Sequence, residues 1–436
     1  MKPLREIPIA DISTFKANLI RFLDQQHYAC MLDSNDYTKD NYGEYDCIVA
    51  WGKKDLFYAN ETKGAFNHLE HFLKQQEGSW VFGFLSYDLK DDLEDLKSNN
   101  THWSDLPKSY FFVPENIVLF KADKLLVSDN IDKQDFLNKI NGLQTAEKQK
   151  KDYPKPILKP ATQRDEYLRT IDRIKEHILE GDIYEMNYCV EFTVEELYRP
   201  AAELFIDLNN RAKAPFSGFL KIEDRFILSV SPERYLKKVG KKLISQPIKG
   251  TAPRYQDQKL DEISKDRLIH SKKDQAENVM IVDLVRNDLA KVSKTGSIHV
   301  EELFGIYPFN TVYQMISTIS GELKDTSNGF DAIKATFPMG SMTGAPKHRS
   351  MQLIDKYENS RRGVYSGAIG YFKPNGDFDF NVVIRSLLLD RKLKKASFSV
   401  GGAIVYDSSP EGEYEECLLK AKALLESLGL PTHFDS

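Results

Sequence analysis

Between residues 183 and 406, apolar runs of strand length arrive in adjacent groups, and this grouping constrains the fold more than any other feature of the chain. FSGFLKI (216–222) and RFILSV (225–230) flank Glu223-Asp224, the pattern of a β-hairpin. IYEMNYCVEFTV (183–194), KKLISQPI (241–248) and the stretches 363–372, 378–390 and 394–406 read as further strands. Helices separate the groups. Tyr167, Ile171, Ile174 and Ile178 recur at helical spacing behind Thr162 and Glu166, and Gly181 then stops that helix. Further helices are expected at 257–270, 272–290, near 310–320 and at 410–428. Hairpin-like runs of strands with helices between them specify an α+β class, not a doubly wound parallel sheet.

A chain of 436 residues exceeds the usual size of one core, so two or three domains are expected. The segment AEKQKKDYPKPILKP (146–160) is rich in Lys and Pro, reads as a linker or a surface loop, and separates 1–150 from 160–430. With 41% apolar residues, 21 Tyr and 25 Phe, a large core is available and general disorder is excluded. A net charge of −5 argues against a dedicated nucleic-acid binder. No apolar run reaches the 18 residues of a membrane span, and the first twenty residues lack the core of a signal peptide. Cys30, Cys47, Cys189 and Cys417 lie far apart with no CxxC pair, which fits reduced thiols. A cytoplasmic location is therefore expected.

Lys249, in SQPIKGTAPR (245–254), stands between a strand end and a Gly-Thr turn, either as a surface charge or as a nucleophile. A lysine nucleophile has to be neutral, which burial or a nearby cation favours. Glu233, in SPER, follows the apolar run 225–230 and serves either as a turn former or as a general acid in a partly dry site. Glu413, Glu416 and Lys420 share one helix face at i, i+3 and i+7, as a solvated face or as part of a site. Glu277 lies in AENVMIVDLVRNDL, a helix whose apolar stretch is buried. Two carboxylates from separate helices, completed by substrate oxygens and waters, would make a Mg²⁺ site. FPMGSMTGAPKHR (337–349), YSGAIGYF (365–372) and VGGAIVYD (400–407) are glycine-rich. The first lacks the spacing of a phosphate loop, and such glycines either make tight turns or bring backbone N–H groups to an anion such as a carboxylate.

In this order the segments resemble the chorismate-utilising enzymes, and within them the aminodeoxychorismate synthase branch. The likeness runs through GDIYEMN, SPER, PIKGTAPR, AENVMIVDLVRNDL, FPMGSMTGAPK, YSGAIGYF, NVVIRS, GGAIVYDSSPEGEYEE and Lys420, and more faintly through GSWVFGFLSYDL (78–89). The resemblance implies an α/β/β/α fold with two large, orthogonally packed, mainly antiparallel sheets. It implies chorismate as substrate, Mg²⁺ as cofactor and 4-amino-4-deoxychorismate as product, on the 4-aminobenzoate branch of folate synthesis. Position 249 is Ala in PIAGT of anthranilate synthases and commonly Lys in PIKGT of aminodeoxychorismate synthases. By resemblance, Lys249 attacks C2 of chorismate while Glu233 protonates the departing C4 hydroxyl, and ammonia then enters at C4 and expels the lysine. Glu277 and Glu416 would bind Mg²⁺, with Glu413 acting on it directly or through water. Tyr365, Arg385, Lys420, Gly401 and Gly402 would hold the substrate carboxylates, and Ser341 and Thr343 would line the same pocket. No glutaminase nucleophile motif is found, so a separate glutamine amidotransferase subunit, component II, is implied as the ammonia source.

Three positions depart from the family pattern. Glu185 stands where the family usually has Gln, and is expected to assist the amination step. Ala403 replaces a third glycine. CMLDSN (30–35) only partly matches the LLES element associated with tryptophan binding, so no bound tryptophan is expected. The rival readings are anthranilate synthase component I and a non-catalytic chorismate-binding subunit. Lys249 argues against the first, and the retained charges at 233, 249, 277 and 416 argue against the second.

Overall fold

The computed structural model describes residues 5–8, 11–121, 124–143 and 153–432. All strand pairing among them is antiparallel and divides between a twelve-stranded and a ten-stranded sheet. The larger sheet has at its centre Tyr28–Asp33, Phe216–Ile222, Arg225–Ser231, Ser386–Asp390, Lys395–Ile404 and Glu185–Glu195, in that spatial order. The smaller runs from Ile248–Pro253 through Val312–Glu322, Lys242–Gln246, Arg234–Val239, Phe378–Asn381 and Ala368–Phe372 to Val81–Leu85 and beyond.

Alternation along each strand sets the layers. In the larger sheet Phe219, Phe226 and Leu228 face the helices Ile12–Asp24, Arg164–Leu179, Ala201–Ala212 and Pro410–Ser427, while Leu220 and Ile227 point the other way. In the smaller sheet Phe111 packs with the helices Ala65–Gln75, Lys272–Ala290 and Gly329–Thr336, while Tyr110 and Phe112 meet Leu220 and Ile227 in the core between the sheets. The result is helix, sheet, sheet, helix. At roughly 25 cal/mol per Å² of apolar surface removed from water, three such cores dominate the stabilising side of folding.

The hairpin Phe216–Ile222 and Arg225–Ser231 forms as expected, with Glu223 at φ +54° in its turn. The helices at 164–179, 258–269, 272–290 and 410–427 match the periodicity. The expected helix near 310–320 is instead the strand Val312–Glu322. Its positions 313–321 are buried, because other strands flank it on both edges and packing covers both of its faces. A strand covered on both faces loses its period-two signal. The run 378–390 is two strands, with residues 382–385 carrying the chain from the smaller sheet to the larger. Part of the segment 146–160 lies outside the described residues, and its end, Ile157–Pro160, pairs with Glu185–Glu195. Strands from before and after this segment pair in both sheets: Tyr28–Asp33 with Phe216–Ile222, and Val81–Leu85 with Ala368–Phe372.

Candidate active site

The chain passes from one sheet to the other at 232–233 and again at 382–385, and the two crossings are joined by a hydrogen bond from Val382 N–H to the Glu233 carbonyl, 3.0 Å. Beside them opens a cavity of about 1200 Å³. Glu233 lines it at the first crossing and Arg385 at the second. Edge strand Ile248–Pro253 brings Lys249, strand Lys395–Ile404 brings Gly401 and Gly402, and helices Lys272–Ala290 and Pro410–Ser427 bring the carboxylates.

Lys249 is 8% exposed, so it is not a solubilising charge. The register of its strand shifts between Ile248 and Thr251, and such a bulge re-aims the side chain it contains. Gly250 follows at φ +94°, where an added Cβ would stand 3.0 Å from Asp274 Cβ. Lys249 Nζ lies 3.7 Å from Glu185 Oε2. Glu233 is buried and accepts a 2.6 Å hydrogen bond from Ser341 Oγ. Burial pushes its carboxyl up to about 7, against the opposing pull of Ser341, Lys249 and Arg385. A carboxyl of that kind keeps a proton to give near neutral pH.

Arg385 takes φ +51°, and its guanidinium makes no hydrogen bond to any described residue. Desolvation pushes it down to about 10, with Glu233 opposing. A guanidinium at a cavity wall with its fork unfilled is a receptor for a carboxylate. Tyr365 is buried beside it, its hydroxyl 3.6 Å from Cys189 Sγ. Lys420 Nζ donates to the Gly401 carbonyl at 2.7 Å and pairs with Glu416 Oε1 at 2.7 Å.

Glu413 is buried and accepts from Ser408 Oγ at 2.7 Å, whereas the Glu416 side chain is 47% exposed at the rim. Burial pushes Glu277 up to about 7 and also raises Glu413, while Lys420 lowers Glu416. Lys273 Nζ stands 3.8 Å from both Glu277 Oε1 and Glu413 Oε1, so a cation already bridges the two helices. Gly402 leaves the space beneath: an added Cβ would meet Glu413 Oε2 at 3.0 Å, Lys420 Nζ at 3.6 Å and Glu416 Oε1 at 3.7 Å. The three glutamates are not drawn together to ligand spacing. Among the described residues only His177, Glu180 and Asp182 bring three donor atoms within 4.8 Å of one another, and there Asp182 is tied to His177 and Arg349.

Of the residues expected from the sequence, Glu233, Lys249, Glu277, Ser341, Tyr365, Arg385, Gly401, Gly402, Glu413, Glu416 and Lys420 line this one cavity. Thr343 does not. It is fully buried with its hydroxyl turned back to the carbonyls of Met339 and Gly340, which also accept the backbone N–H groups of Met342 and Thr343 in the short helical turn at 340–342. Glu185 lies next to Lys249 but is not on the cavity wall. Lys273 and Asn187, whose amide donates to the Ser341 carbonyl at 2.7 Å, were not singled out from the sequence. The i,i+4 spacing of Lys273 and Glu277 was the available signal, and it is also the signature of an ordinary surface pair.

Among the described residues no helix is long and apolar enough to cross a membrane. A rice (Oryza sativa subsp. japonica) protein named "Probable aminodeoxychorismate synthase, chloroplastic" is 36% identical over 425 residues, covering 87% of this chain and 47% of the relative. The chain thus spans about half the length of that relative. "Aminodeoxychorismate synthase component 1" of Bacillus subtilis (strain 168) is 33% identical over 80% of this chain and 77% of its own length. The crystal structure of anthranilate synthase component I from Streptococcus pneumoniae TIGR4 shares the fold, with a TM-score of 0.74 at 24% identity over 88% of this chain and 93% of that one. The family model for chorismate binding enzymes matches residues 27–426, which take in both sheets' centres and every group on the cavity wall, and the chain belongs to that family.

Proposed function

We propose that the chain is an aminodeoxychorismate synthase component I, converting chorismate and ammonia to 4-amino-4-deoxychorismate. The observation that carries this reading is Lys249, a buried primary amine on the wall of the cavity that also holds a buried acid, Glu233. The relatives' names point the same way. Arg385 and Lys420, with the backbone at Gly401 and Gly402, hold the two substrate carboxylates, and Tyr365 packs beside them. The neutral Lys249 amine attacks C2, the ring double bonds shift, and the C4 hydroxyl leaves as water with the proton of Glu233. Ammonia then bonds to C4 and the C2–N bond breaks, releasing Lys249 as an amine. Splitting one substitution into two covalent steps fixes the carbon and the face at which nitrogen arrives.

The oxygen-only donor set of Glu277, Glu413 and Glu416 suits Mg²⁺, and Lys273 already stands in for a cation between two of them. Bound there, Mg²⁺ would neutralise and orient the ring carboxylate. Glu277→Gln or Glu416→Gln should abolish turnover at physiological Mg²⁺ and leave metal-free thermal stability unchanged or raised, since like charges are relieved. A normal Mg²⁺ titration in either variant removes that glutamate from the site. Ammonia reaches the enzyme from a glutamine amidotransferase subunit, with free ammonium as the substitute in vitro. The deciding experiment is product analysis with chorismate, Mg²⁺ and ammonium, with and without an added aminodeoxychorismate lyase. Formation of 4-aminobenzoate only when the lyase is present supports the reading, and anthranilate as product overturns it.

A further inference from the structure

We infer that Glu185 is the proton acceptor that makes Lys249 a nucleophile. The inference rests on the covalent role of Lys249 proposed above. Glu185 opens the strand Glu185–Glu195, where it pairs with Ala345 and its carbonyl accepts from Ser350 Oγ at 3.2 Å. The backbone is thus fixed and the side chain is 2% exposed. Among the described residues its Oε2 has no hydrogen-bond partner. Leaving a carboxylate oxygen buried and unmatched costs on the order of 1–3 kcal/mol or more, so such an atom calls for a partner that arrives during the work of the site. Lys249 Nζ is 3.7 Å from that same oxygen, and among the described residues no other carboxylate lies within 4.0 Å of the amine. A turn of the flexible lysine stem closes the remaining gap.

The neighbouring acids are engaged elsewhere. Glu233 accepts from Ser341 and faces the departing hydroxyl in the proposed reaction, Glu277 lies beside Lys273, and Glu416 pairs with Lys420. Glu185 is not on the wall of the cavity that Lys249 lines, so it can take a proton from the amine without occupying the space left for substrate. The protons balance. Lys249 gives one to Glu185, the C2–N bond forms, and the C4–O bond breaks with water leaving on the proton of Glu233. When ammonia displaces the lysine, the free amine regains its proton from Glu185 and the new C4 ammonium returns one to Glu233. A glutamine at 185 cannot take part in this exchange.

The charged groups facing Lys249 are Glu185 at the start of the strand Glu185–Glu195 in the larger sheet, Glu233 at the sheet crossing, Glu277, Lys273 and Asp274 on the helix Lys272–Ala290, and Glu416 on the helix Pro410–Ser427. The test is quenched-flow intact-mass detection of the chorismate adduct, with Mg²⁺ and without ammonium, across pH 6.5–10. Glu185→Gln should form the adduct about 10²-fold more slowly near pH 7.5. Its rate should recover as pH rises and hydroxide takes over the proton, while the wild-type profile stays flatter, and Glu185→Asp should fall between. Equal rates in Glu185→Gln and wild type overturn the inference alone. A deficit of the same size at every pH assigns Glu185 a positioning role and also overturns it. No adduct at any time, from a wild-type preparation that aminates chorismate once ammonium is added, overturns the covalent reading and this inference together. Should Glu185→Gln fail to fold, the rate and pH profile of Glu185→Asp decide by the same criteria.

Discussion

Glu233 and Arg234 are neighbours in the chain and both are buried, yet their partners differ in kind. Arg234 has every donor filled. Nε and one Nη nitrogen grip Asp379 at 2.9 and 3.1 Å, both Nη nitrogens grip Asp40 at 2.9 and 2.7 Å, and Gln246 takes the remaining N–H. Lys237 completes the charge balance on Asp379 at 2.9 Å, and the ring of Phe216 lies 4.7 Å from the guanidinium. Around its neighbour Glu233, by contrast, polar groups are left short among the described residues: the Arg385 guanidinium has no hydrogen-bond acceptor, and Glu185, next to Lys249 but off the cavity wall, keeps a bare oxygen. A buried charge network that is complete holds structure, and one that is incomplete waits for a ligand.

The sharpest way to break this comparison is Lys249→Ala. It should lower aminodeoxychorismate formation by on the order of 10³-fold or more, or divert chorismate toward anthranilate, while the urea midpoint stays where it was. An unchanged product and rate would end covalent catalysis here. Glu233→Gln comes next, with turnover reduced roughly 10²–10⁴-fold. Its pH behaviour has a definite sign. The folded carboxyl titrates near about 7 instead of 4.5, so the wild type loses stability as pH climbs between those values. The glutamine variant escapes that loss, and its melting temperature should exceed the wild type's at pH 8 but not at pH 4.5. Coincident melting curves at both pH values would show that Glu233 is not held protonated by the fold.

Arg234→Met tests the other side. It strands Asp40 and Asp379, which should cost about 3–5 kcal/mol in urea denaturation while activity per folded molecule persists. A large loss of activity without a loss of stability would place Arg234 in the cavity's chemistry. The smallest effect is expected from Arg385→Lys, which keeps the charge and loses the fork. KM for chorismate should rise about ten- to a hundred-fold with kcat less affected, as isothermal titration with chorismate would show independently.

Much of this was legible in the sequence because local signals agreed with the fold. The hairpin around Glu223-Asp224 and the helices carrying Glu277 and Glu416 were set by period and turn chemistry alone. The strand Val312–Glu322 was misread because Val312, Met315, Ile316 and Ile319 fall at helical spacing, and coverage on both faces removes the alternation that would contradict it. Thr343 was placed on the wall because its motif was matched by residue type, whereas its hydroxyl direction depends on how the turn at 340–342 closes. Lys273 was passed over since nothing local separates a lysine that bridges two helices from one that is solvated.

The stitched crossings at 232–233 and 382–385 carry a consequence for how this protein is made. The strands Tyr28–Asp33 and Val81–Leu85 each find one partner nearby in the chain, but the other edge of the first awaits residues near 220 and that of the second residues near 370. Pairings of such sequence separation form late, because long loops must close first. During synthesis the acid of the first crossing emerges about 150 residues ahead of the guanidinium of the second, and the helix with Glu413, Glu416 and Lys420 follows later still. A nascent chain therefore carries no partly working pocket. If the proposed function holds, binding competence arises only late in assembly, and chorismate, as a ligand of the finished state, would act as a selective stabiliser of fully folded molecules.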